Sequence, residues 1–328
     1  MNSPETEQRA PAFLDSFSWN PSPYRSYYLD VQQPRPSRRS FALATVLFAL
    51  TFITALVAGA HFAAAYAHDQ AVSLEVLLKT FRLLYRNPTA LLSGLPFAVT
   101  LLGILLAHEL GHFYACRYHH IRVTYPFFIP APTLIGTFGA FILIRSPIRS
   151  ARALFDVGAS GPIAGFLVAL PALVYGVLHA RVIPSLGTDN NADLIFGVPL
   201  LLRAVATVVQ PNAHVTDLLL HPVGRAAWVG LFATALNLLP VGQLDGGHIV
   251  RSVSPRAHKW ISLLIPLVLL GLGFFRWQGW LLWAAILFGL RFFRAAPIYD
   301  PTPLDPRRRF GVALCLIIFV LCFMPDPL

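Results

Sequence analysis

Acidic side chains are scarce in this chain. Its 328 residues hold 15 Asp and Glu, and only four of these are Glu: Glu5, Glu7, Glu75 and Glu109. Charged residues of both signs make up 12% of the chain against 56% hydrophobic ones, and the mean hydropathy is +0.62. That balance excludes a soluble globule and belongs to a polytopic membrane protein. Cysteine is rarer still. Cys116, Cys315 and Cys322 all lie in or beside apolar runs, which excludes a disulfide framework. Cys116, one turn beyond His112, is read as a small packed core residue and not as a ligand. No internal repeat is visible, and the stretch 181–222 is too short for an added globular domain such as a PDZ module.

Positive charge is in excess, with a net +10. With residues 1–40 placed in the cytoplasm, 18 of the 25 Lys and Arg fall on that side and 7 on the other. This is the positive-inside asymmetry of a membrane protein. The basic balance therefore sets orientation and contacts anionic lipid, and no nucleic-acid partner is expected. Apolar runs of spanning length recur near 41–65, 91–117, 157–180, 225–250, 260–275, 279–294 and 310–325, with 194–209 as a further half-span or surface helix. The expected fold is all-α: a polytopic bundle of about seven to eight spans.

Residues 1–40 are rich in Pro, Ser, Tyr and Arg without a helical period, as in a disordered tail. The apolar run at 41–65 follows this long polar leader, so it is expected to be an uncleaved anchor. Residues 72–86 combine Leu74, Leu77, Phe81 and Leu84 with Lys79, Arg82 and Arg86, the pattern of a helix on the membrane surface. The stretch 126–145 is as apolar as a span, yet Pro126, Pro130, Pro132, Gly136 and Gly139 would break a helix repeatedly. Non-helical backbone at membrane depth survives only where protein or a water-filled cavity satisfies its amides. Residues 135–144 are therefore expected to form part of a short re-entrant β-hairpin carrying Gly136, Thr137, Phe138, Gly139 and Ala140.

The run 91–106 leads straight into His108-Glu109-Leu110-Gly111-His112. Residues four apart on an α-helix point the same way, so two imidazoles can grip one metal ion. Glu109 sits beside them, where it can act as a base toward water. Given the composition, the pattern arises by accident in roughly 0.4% of shuffled chains. Ionisable groups within a span are costly and mark function. Catalytic zinc usually takes three protein ligands. Most of the other histidines sit at helix ends or in loops. One other acid stands out, Asp245, in a segment that Pro240, Gly242, Gly246 and Gly247 would unwind locally. An unwound helix lets a short carboxylate reach sideways to a metal. Capping of the following helix is the alternative reading of an Asp before Gly.

His108-Glu109-x-x-His112, followed by Asn237-x-x-Pro240-x-x-x-Leu244-Asp245-Gly246, resembles the site-2 protease family of intramembrane zinc metalloproteases. Gly158-x-x-Gly161-Pro162-x-x-Gly165 is similar to a Gly-rich segment in that family's second core helix, where position 165 is often Asn; Gly here removes a polar contact. The stretch 126–139 resembles the hairpin region of members without a PDZ domain. The likeness covers residues 91–250. It implies one Zn2+ per chain held by His108, His112 and Asp245, with Glu109 as general base. It further implies that Asn237 and the hairpin residues Gly136, Thr137, Phe138 and Gly139 meet substrate, with Gly161 and Gly165 on the same side and allowing close helix approach. The domains expected on this basis are a cytoplasmic tail (1–40), an anchor span and interfacial helix (41–90), a catalytic core (91–253) and accessory transmembrane helices (254–328).

The reaction implied is hydrolysis of a peptide bond within or next to a transmembrane segment of a membrane-anchored protein, as in regulated intramembrane proteolysis. Three rivals are weighed. A prenyl-type membrane protease would take its third ligand from a different helix. A silent scaffold or chaperone would not need Glu109, and a transporter with broken helices would work without zinc. The acidic, Pro- and Arg-rich start fits a transit peptide poorly, so the expected location is a bacterial plasma membrane with the N-terminus cytoplasmic.

Overall fold

The computed structural model describes residues 38–71, 74–184, 196–290, 300 and 302–327. The expected tail thus lies outside the described residues except for its last three positions, which open the first helix. The chain runs through α1 (Arg38–Ala67), α2 (Leu74–Arg86), a 3-10 turn (Pro88–Gly94) and α3 (Leu95–Tyr118). A hairpin of β1 (Phe127–Pro130) and β2 (Thr137–Phe141) precedes α4 (Ala151–Leu178). Beyond α4 come β3 (Arg181–Val182), α5 (Leu200–Val209), β4 (Leu218–Leu219) and α6 (Pro222–Asn237), with β3 and β4 paired antiparallel. The chain continues with α7 (Asp245–Val253), α8 (Pro255–Phe275), α9 (Gly279–Leu290) and α10 (Pro306–Cys322).

Among the described residues, four helical segments are long and apolar enough to cross a membrane: Arg38–Ala67, Pro88–Tyr118, Ala151–Leu178 and Pro255–Phe275. The other expected spans are shorter for identifiable reasons. The run 225–250 divides because Leu238–Leu244 leaves the helix between α6 and α7. The run 279–294 is helical over the 12 residues of α9 and then passes outside the described residues, and α10 is 17 residues long. Helix starts follow local chemistry. Ser150 caps α4 by accepting from the Ala153 amide at 3.0 Å, and Ser254 and Asp305 cap α8 and α10 in the same way.

Large side chains buried between α3, α4 and α6 form the centre: Leu101, Ile104, Leu173, Trp228 and Leu231. The outer faces are apolar too. Leu43, Val46, Leu50 and Ile53 on α1 and Leu264, Leu267 and Val268 on α8 are exposed, a patterning that suits hydrocarbon and not water.

The Pro- and Gly-broken stretch forms the expected hairpin. Phe127 pairs with Phe141, Phe128 with Ala140 and Pro130 with Thr137, with a bulge between Phe128 and Pro130. Its turn rests against α1. Gly136 has φ +82°, and a Cβ there would come within 2.6 Å of the Thr54 carbonyl. The Thr54 hydroxyl donates to the Gly136 carbonyl at 2.6 Å. α1 therefore supports the turn of the hairpin.

Candidate metal centre

His108 and His112 lie in the last part of α3, buried against α4. Their Nε2 atoms are 3.1 Å apart. Asp245, the first residue of α7, brings Oδ2 to 3.2 Å from His108 Nε2 and 3.3 Å from His112 Nε2. The capping alternative is not what the chain does: Leu244 occupies the cap position without a side-chain cap bond, and the Asp245 carboxylate turns to the imidazoles. The helix breaks at 238–244, whereas Gly246 and Gly247 lie inside α7. There a Cβ at 246 would meet the Leu238 carbonyl at 2.0 Å and one at 247 the Gly242 carbonyl at 2.6 Å. Gly242 itself has φ +57°. Its amide donates to Ser262 Oγ at 3.3 Å and its carbonyl accepts from His258 Nε2 at 3.1 Å, so α8 pins the loop that delivers Asp245.

A backbone atom sets the orientation of His112. Its Nδ1 lies 2.7 Å from the Val157 carbonyl of α4. A carbonyl only accepts, so Nδ1 carries the proton and the Nε2 lone pair faces His108 and Asp245. Two imidazole nitrogens and a carboxylate oxygen, all within 4.8 Å of one another and largely shielded from solvent, fit a divalent cation of zinc type. Space for the rings comes from glycine. A Cβ on Gly161 would lie 2.1 Å from His112 Nε2, and one on Gly165 3.2 Å from the Cβ and Nδ1 of His108. Gly111, between the two histidines, lets α3 meet α4: a Cβ there would come within 2.4 Å of the Ser160 carbonyl.

A cavity of about 180 Å³ opens beside this cluster. Glu109 and Asn237 line it with the three candidate ligands. Glu109 is buried and shares the cavity wall with Ile142 of the hairpin segment, and Asn237 Nδ2 lies 3.3 Å from His108 Nε2. Ala140, Phe141, Ile142 and Ile144 supply the hairpin wall. The hairpin thus meets the site further along than the expected residues 136–139. Gly136 faces α1, the Thr137 hydroxyl donates to the Ile129 carbonyl at 2.8 Å, and Phe138 is 71% exposed. Gly139, with φ +100°, has open space where a Cβ would stand. Gly161 and Gly165 sit under the histidine rings.

Sequence reasoning missed Val157, whose contribution is a carbonyl that any residue carries, and also Gln243 and His248, which line the cavity. His248 had a signal, since it stands three residues after Asp245 and so shares its helix face. Its Nδ1 is buried and unpartnered among the described residues.

Comparison with known proteins agrees with this geometry. The sequence model of "Peptidase family M50" matches residues 96–270. The chain is 33% identical over 238 residues to "Probable zinc metalloprotease EGY1, chloroplastic" of Arabidopsis thaliana, covering 71% of this chain and 43% of that protein. It is 30% identical over 248 residues to "Probable zinc metalloprotease EGY2, chloroplastic" of the same plant, covering 74% and 44%. The EGY1 protein of Oryza sativa subsp. japonica is 36% identical over 189 residues, covering 55% and 32%. The chain therefore spans less than half the length of these curated relatives. No solved structure matches it.

Proposed function

This chain belongs to peptidase family M50, and we propose that it is a zinc-dependent endopeptidase that cuts a membrane-anchored protein within or next to its transmembrane segment. The observation that carries this reading is the meeting of His108, His112 and Asp245 at 3.1–3.3 Å beside the buried Glu109, with both histidines and the glutamate on a helix of hydrocarbon length. His108, His112 and Asp245 would hold the ion. Zinc supplies Lewis acidity, which polarises a carbonyl and makes water acidic near neutral pH.

The chain's own groups do the rest. Glu109 takes the proton from the attacking water and passes it to the departing amine as the C–N bond breaks. Asn237 donates its amide to a substrate carbonyl beside the cluster. A transmembrane helix hides its peptide bonds in i→i−4 hydrogen bonds, so the substrate must unwind before it is cut. The stretch running over the cavity from Ala140 near the end of β2 on to Ile144 offers backbone groups to the extended chain. Small or helix-destabilising residues near the cut are favoured on that account.

The location proposed is a bacterial plasma membrane, with the chain crossing it about seven to eight times. The distribution of Lys and Arg supports placing residues 1–40 in the cytoplasm. α3 then runs inward, its histidines fall near the cytoplasmic face, and the product is a cytoplasmic fragment. The test compares membrane-protein fragments from cells making the native chain with those from cells making Glu109→Gln. The variant is expected to keep its zinc and to retain uncut substrate. Equal fragment sets from the two, with both proteins present and zinc-loaded, would overturn the protease reading.

A further inference from the structure

His112 donates its Nδ1–H to the Val157 carbonyl, and the residue before Val157 is the hub of an ion network. Asp156 Oδ2 lies 2.7 Å from His119 Nε2, at the C-cap of α3. The same carboxylate takes two bonds from Arg308 of α10, Nε to Oδ1 at 2.8 Å and Nη2 to Oδ2 at 2.6 Å. Arg308 also pairs with Asp305, which caps α10 through the Arg308 amide.

His119 stands seven residues after His112, two helical turns, so both histidines project from one face of α3. Adjacent residues of α4 receive them, Val157 for His112 and Asp156 for His119. Arg308 then grips the same point of α4 from a helix that lies beyond the matched residues 96–270. Both partners are mostly shielded, at 25% and 23% side-chain exposure. A two-pronged guanidinium–carboxylate pair fixes direction as well as distance.

We infer that Arg308 is a positioning residue for the metal centre: by clamping Asp156 it fixes how α4 is turned toward α3, and so the aim of the Val157 carbonyl that orients His112. The C-terminal helix is thereby part of the site and not an accessory to it. This rests on the metal-centre reading above, and the test separates the two.

The full-length chain in detergent is loaded with cobalt(II), whose visible absorption reports the geometry of its ligands, and zinc affinity is measured by competition with a chelator. Arg308→Lys keeps the charge and loses the fork. It is expected to fold with a near-native thermal midpoint, to alter the cobalt spectrum, and to weaken zinc by about 10-fold, the scale of lost outer contacts to a ligand. Arg308→Ala with Asp156→Asn removes both charges together and is expected to go further in the same direction. A native spectrum and affinity in Arg308→Lys would overturn the inference, whatever happens to the midpoint. That variant also decides the matter if the double variant does not fold. A native chain that takes up neither cobalt nor zinc would overturn the metal-centre reading and this inference with it.

Discussion

The tightest constraint on the site is the missing side chain of Gly161, and Gly161→Ala tests it. The added methyl would lie 2.1 Å from His112 Nε2, 2.4 Å from Cε1 and 2.5 Å from Cδ2, where ordinary contact begins at 3.4 Å. The ring must retreat by more than an ångström. It cannot do so by rotation alone, because Nδ1 is held at 2.7 Å by the Val157 carbonyl one turn earlier on the same helix. Fold stability is a poor reporter. Overpacking costs about 1–3 kcal/mol, while replacing a mid-helix glycine by alanine returns about 1 kcal/mol. Metal affinity is the sensitive quantity, since moving a ligand ring off its axis typically weakens binding about 10- to 100-fold. Gly165→Ala provides the graded control. Its methyl would stand 3.2 Å from the Cβ and Nδ1 of His108, a deficit of a few tenths of an ångström that the neighbour can absorb. Zinc dissociation constants from chelator competition on the purified proteins should rank native, Gly165→Ala, Gly161→Ala, with a large step only at the last. Native affinity in Gly161→Ala, or a greater loss in Gly165→Ala, would refute the cradle reasoning.

Other perturbations probe separate links. Asp245→Asn removes the negative charge whose oxygen lies 3.2–3.3 Å from both imidazoles, and zinc affinity should fall by at least about 10-fold; undiminished occupancy after dialysis would rule the carboxylate out as a ligand. Thr54→Val deletes the donor that holds the Gly136 carbonyl at 2.6 Å, which should ease opening of the hairpin by about 1 kcal/mol and speed hydrogen exchange of its amides ~5-fold. Unchanged exchange there would show that α1 does not anchor the turn. Asp305 is held below its ordinary value by the Arg308 amide and guanidinium. A carboxyl depressed on folding contributes fully above its unfolded value, near 3.8, and loses its contribution as pH falls through its lower folded value. Acid-induced fraying of α10, followed by exchange of its first amides, should therefore begin only below that range and should be absent as a transition in Asp305→Asn.

Much of this protein is local and can be read along the chain. The spacing of His108 and His112 places two imidazoles on one helix face wherever that helix packs. Pro126 to Gly139 cannot continue a helix and form strands and a turn, and Pro240 and Gly242 break the helix before Asp245. The apolar runs announce a membrane, although run length alone did not mark where α6 would end. Local rules say nothing of what lies across a helix crossing. That Gly161 and Gly165 make room for imidazoles depends on how α3 crosses α4 at Gly111 and Ser160. Residues 140–144 reach the cavity, and not 136–139, because Gly136 docks on Thr54, more than 80 positions away in the chain. The Val157 carbonyl has no sequence signature at all, and the Asp156–Arg308 pair joins residues 152 positions apart. The sequence by itself determined which side chains carry the chemistry and the local shape of the backbone around them. Only the tertiary structure decided their aim, because aim is a property of contacts between distant segments, and side-chain spacing cannot encode it.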